Sequence, residues 1–172
     1  MKNLLLTLAL VFSFSINAQY AVMYAVDLNE GGEEDYLSLE KFWSEIHSEA
    51  FNQGLHDGWS VWKRTAKDGD QESAAEYFIF ENYSSMEQMQ KGYNALEIAT
   101  KVYKGKKSRR YIQSMVQGTG ITNPHRERRV YRLQGISATI LAGGSVKPGD
   151  VGTINLMVKK TDDFENYESQ IW

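Results

Sequence analysis

Along residues 20 to 137 the spacing of apolar side chains switches repeatedly between a period of two and a period of 3.6, and this order of switches limits the architectures open to the chain. From Tyr20 to Asp27 the side chains alternate, Val22, Tyr24 and Val26 against Ala21, Met23 and Ala25, as in a strand with two distinct faces. The polar turn NEGGEED follows, and Tyr36, Leu39, Phe42, Trp43, Ile46 and Ala50 then mark one face of a helix running from about Glu34 to Phe51, with acidic residues in its first turn. WSVWKRT (59–65) and AAEYFIFEN (74–82), joined by the Gly-containing KDGDQES, read as a hairpin. Ser84 or Ser85 can cap a second helix that carries Met86, Met89, Tyr93, Leu96 and Ala99, with a continuation through SRRYIQSMV after a break at Gly105 and Lys106. RRVYRLQGIS (128–137) supplies the next strand.

Strand, helix, strand, strand, helix, strand is a pair of strand-helix-strand halves. The predicted fold class is therefore α+β: a ferredoxin-like βαββαβ antiparallel sheet with its helices on one face.

Residues 1–18 carry Lys2, an apolar run from Leu4 to Ile16 and the small residue Ala18, the pattern of a signal peptide; the run is short of the roughly 20 residues that cross a bilayer. Export, to a periplasmic or extracellular destination in a bacterium, is expected. The chain has no Cys, so neither lipid attachment at the cleavage point nor disulfides are available, and the 42% apolar and 12% aromatic content must build the core. A net charge of −3 argues against a nucleic-acid partner.

Residues 19–137 form the predicted domain and 138–150, ATILAGGSVKPGD, a linker. At 151–172 the opening pattern returns: Ile154, Leu156 and Val158 can be laid on Val22, Tyr24 and Val26, and Phe164, Tyr167 and Glu168 on Tyr36, Leu39 and Glu40. This predicts the start of a second, incomplete copy of the unit.

The element order, together with DYLSLEKFWSEIH followed by GWSVWKR, resembles the dimeric α/β-barrel superfamily, which holds the antibiotic-biosynthesis monooxygenase-like and stress-responsive barrel proteins. The resemblance spans 21–137 and restarts at Thr153. It implies that two sheets pair face to face, from two chains or from tandem copies, as a dimeric or tandem α/β barrel around a cavity. Members include oxygenases, isomerases, haem enzymes and proteins without known activity, so the fold does not choose among them.

By strand parity, Met23, Ala25, Trp59, Val61, Phe78 and Phe80 form the almost purely apolar set expected to face the helices. Tyr24, Trp62, Arg64 and Tyr77 are expected on the other face, as partner-sheet contacts or as ligand-binding residues for a small apolar or aromatic molecule. His47, one turn after Trp43 and two after Glu40, is the candidate catalytic residue; a His at the border of an apolar face more often simply bonds to a neighbour. No metal-ligand spacing, GxSxG elbow, phosphate loop or Cys nucleophile is present, and no cofactor is predicted. Lys104, Lys106, Lys107, Arg109 and Arg110 read as a solvated run near a helix end, with an anionic surface as the sharper alternative.

The leading functional reading is an exported domain of unassigned activity that self-associates through its sheet and holds a small apolar ligand. A cofactor-independent monooxygenase or isomerase of the same superfamily is the alternative.

Overall fold

A computed structural model of the chain describes residues 20–66, 75–118, 124–135 and 149–152. Residues 1–134 and 135–172 are separate units; the fold below is that of the first. The leader, most of the linker and nearly all of the predicted second copy lie outside the described residues.

Among the described residues eight elements follow one another: β1 (Tyr20–Leu28), α1 (Glu33–Asn52), β2 (Gly58–Lys63), β3 (Tyr77–Tyr83), α2 (Met86–Lys91), α3 (Ala95–Val102), α4 (Arg109–Gln117) and β4 (His125–Gln134). The strands form one antiparallel sheet in the order β2-β3-β1-β4. With α1 between the first two strands and a helical segment between the last two, this is the ferredoxin-like βαββαβ fold.

Two turns set the geometry of α1. Glu33, Glu34 and Asp35 occupy its first turn, where the helix dipole favours negative charge. Just before it, a Cβ at Gly32 would lie 3.0 Å from the Asn29 carbonyl oxygen and 3.2 Å from that of Pro124, so only glycine lets the chain pass so close. The amide of Asn29 donates to the same Pro124 carbonyl at 2.8 Å, tying the end of β1 to the start of β4.

The helix then buries two stripes. Leu39, Phe42, Ile46 and Ala50 pack on Ile98, Ala99, Tyr103, Ile112 and Met115 of the other helical segments, with the Tyr103 ring stacked on Phe42 at 4.8 Å. Ile46 is fully buried, and truncation to Ala there would cost about 2–5 kcal/mol. The second stripe, Tyr36, Glu40, Trp43 and His47, turns to the sheet.

Register shows which strand face meets the helices. Val22 pairs with Glu81, Tyr24 with Ile79 and Val26 with Tyr77; Trp59 and Val61 sit opposite Glu81 and Ile79. Directly paired residues share a face, so Tyr24, Trp59, Val61, Tyr77 and Ile79 all point to the helices, and Val26, Tyr77 and Ile79 pack there with Tyr36. Met23 and Ala25 pair with Phe80 and Phe78 and lie on the opposite face, as does Trp62. The expected assignment is thus corrected: Tyr24 and Tyr77 belong to the helix face, and Met23, Ala25, Phe78 and Phe80 to the other. Both faces of β1 are apolar, so a period of two separates them without telling which meets the helices, and it cannot align one strand with the next.

The expected second helix is also corrected. Gly92 (φ +57°) ends α2, Asn94 caps α3, and a turn through Gly105 (φ +75°) precedes α4. The break predicted at 105 and 106 is present.

Candidate functional site

Between the helix face of the sheet and the helices lies a cavity of about 480 Å³. Every strand contributes to it, along with α1, the α2–α3 connection and α4. The β1–β4 register skips Arg126: Asp27 pairs with Glu127 and Leu28 with His125. This bulge moves His125 onto the same side as Arg128, Val130 and Arg132, and all four line the cavity.

His47 is almost fully buried. Its ring stacks on Trp59 (centroids 5.0 Å apart, planes at 13°), its Nδ1 is 2.9 Å from the Tyr93 hydroxyl, and its Nε2 is 3.7 Å from Oε1 of Glu81. Burial, with a smaller push from His56, lowers its pKa to about 3. The imidazole is therefore neutral near pH 7, and its contact with Glu81 is not an ion pair. His56 stands behind it, buried and 5.4 Å ring to ring.

Two carboxyls face the same space. Burial raises Glu40 to about 7, against the pull of Tyr36 and of the Arg128 guanidinium. Burial also raises Glu81, whose Oε2 accepts from the Tyr83 hydroxyl at 2.7 Å. Arg128 lies 4.2 Å from the centre of the Tyr24 ring, a cation–π contact. The result is a pocket walled by Tyr24, Trp43, Trp59, Tyr83 and Tyr93, into which the imidazole of His47 and two carboxyls with raised pKa project.

Of the residues singled out from sequence, the fold brings His47 and Tyr24 to this cavity. Trp62 lies on the other sheet face, its indole N–H donating to the Ser60 hydroxyl at 2.9 Å. Tyr77 donates to Glu33, and Arg64 bonds the Ala75 carbonyl; both line a second cleft beside Asp27 and Glu76. Glu81, Tyr83, Tyr93, Arg128 and Arg132 were not anticipated. A carboxylate inside the aromatic run FIFEN is the one local signal that could have pointed to Glu81, because an ionisable group on a helix-facing strand position is costly unless it has work there.

Among the described residues, no group of three His, Asp or Glu side chains is placed to hold a metal ion, and no helix is long and apolar enough to cross a membrane.

No protein-family model matches the chain, and no curated protein matches it. Among solved structures it is similar to a dimeric protein of unknown function and ferredoxin-like fold from Bacteroides fragilis, with 8% identity over 67% of this chain and 95% of that one, at a TM-score of 0.39. It is also similar to an Arabidopsis thaliana protein, with 12% identity over 72% of this chain and 99% of that one, at a TM-score of 0.40. Strand order and register, not these likenesses, carry the fold assignment.

Proposed function

We propose that this ferredoxin-like domain binds a small, largely aromatic molecule between its sheet and its helices. The observation that carries the reading is a cavity of about 480 Å³, within the range of small-molecule sites, in which aromatic walls surround a few convergent polar groups. The site lies inside one domain rather than between two paired sheets. Calorimetric titration with neutral aromatic compounds tests it: saturable binding should weaken about tenfold or more in Trp59→Leu, which removes a wall, and stay unchanged in Trp62→Phe, on the other face. Equal binding to both variants would place the ligand elsewhere.

A second reading, proton-transfer catalysis by a cofactor-independent oxygenase or isomerase of the resembled superfamily, is favoured by one feature. Glu40, with a pKa raised to about 7, can both give and take a proton near neutrality, whereas His47 is held neutral and already engaged. Turnover abolished in Glu40→Gln and retained in His47→Gln is its expected signature. Export and self-association through the sheet face away from the helices complete the proposal. The leader-like residues 1–18 and the half-buried Trp62, Phe78 and Phe80 on that face support them.

A further inference from the structure

Arg128 and Arg132 stand four pairing positions apart on the same face of β4, opposite Val26 and Val22, with Val130 between them on that face opposite Tyr24. All three β4 residues line the cavity. On the sheet, Lys63, Arg126 and Arg129 each lie against a carboxylate. Arg128 and Arg132 form no ion pair among the described residues. What Arg128 does have is the ring of Tyr24. The carboxyls that could neutralise the pair, Glu40 and Glu81, sit deeper and are pushed by burial towards their uncharged forms, even with Arg128 drawing both the other way. The cavity thus presents two exposed guanidinium groups at its rim and hydrogen-bonding carboxyls inside, surrounded by π faces.

Guanidinium is the group best shaped to hold a carboxylate through paired N–H donors. We propose that the ligand is an aromatic carboxylate, its carboxylate gripped by Arg128 and Arg132 and its ring lying among Trp43, Trp59 and Tyr93. The inference rests on the small-molecule reading above and names the charge and functional group of the ligand. Because both arginines are exposed, their grip is screened by salt; the aromatic contacts are not.

The test uses 2-naphthoate, its neutral isostere 2-naphthamide and the cation 2-naphthylmethylammonium, titrated calorimetrically into the full chain. The carboxylate should bind about tenfold or more tighter than the amide, because only the acid can accept charge-assisted hydrogen bonds from the guanidinium groups. That advantage should shrink as salt rises and vanish in the Arg128→Gln, Arg132→Gln double variant, while Arg129→Gln, on the opposite sheet face, keeps it. Circular dichroism checks that the double variant is folded. Equal binding of acid and amide, a preference for the cation, or selectivity surviving in the double variant would each overturn the carboxylate assignment and leave the small-molecule reading standing. If none of the three binds, and neutral aromatics of other shapes fail as well, both readings fall.

Discussion

An imidazole and a carboxyl share the buried stripe of α1, and burial moves their proton affinities in opposite senses. His47 falls from 6.5 to about 3, so between those values the unfolded chain binds the extra proton and stability is lost as pH drops. Glu40 rises from 4.5 to about 7, so between those values the folded protein binds the extra proton and stability is lost as pH climbs. The two trends oppose each other from about pH 4.5 to 6.5, and separate variants should expose them. Urea unfolding of Glu40→Gln at several pH values should show a steeper loss of stability towards acid than the parent, and His47→Gln a shallower one. At pH 7, His47→Gln should also lose about 1–2 kcal/mol, the worth of its bond to Tyr93 and part of its stacking on Trp59. If the two variants keep the parent's pH profile, neither group has the burial assigned to it. The helical period of α1 was enough to set His47 at the edge of an apolar face. It could not reveal Tyr93, 46 residues further on, because that contact depends on where α2 ends.

Helix ends were legible where a short polar side chain meets an apolar period and at the Gly105 break, but not at Gly92, where the helical period runs on past the turn. Ser85 caps α2 by accepting from the Gln88 amide, as the sequence suggested, while Asn94 and Ser108 do the same for α3 and α4. A capping Asn inside a continuous helical pattern is indistinguishable from a surface residue until Gly92, with its positive φ, breaks the pattern ahead of it. The α4 helix starts against its own dipole: Arg109 and Arg110 fill its first turn with no acidic residue. Arg110→Glu should therefore raise stability by about 0.3–1 kcal/mol, and Ser108→Ala should lower it by about 1 kcal/mol, both read from thermal melts. No gain in the first variant would show that the dipole at this exposed helix end contributes nothing measurable to stability.

For the molecule as a whole, element order was enough to specify the sheet, because two strand-helix-strand halves have few ways to share one layer. Inter-strand register lay beyond it, and with register went the side of every strand residue: Tyr24 and Tyr77 moved to the helices, Phe78 and Phe80 away from them. The face holding Trp62, Phe78 and Phe80, with Tyr131 and Leu133 exposed on β4, is the surface through which self-association is expected. Light scattering should find the full chain larger than a monomer and the Phe78→Asp, Phe80→Asp double variant reduced to one; a monomeric parent at high concentration would refute it. The central position of β1 has a consequence in time. This strand is bonded on one side to β3 and on the other to β4, whose Arg129 meets Asp27 across 102 residues of chain. The earliest-made strand of the domain is thus the last to acquire both neighbours. Assembly must wait for nearly the whole domain to be synthesised, folding should be slow for its size, and until β4 arrives an apolar strand stays open to chaperones.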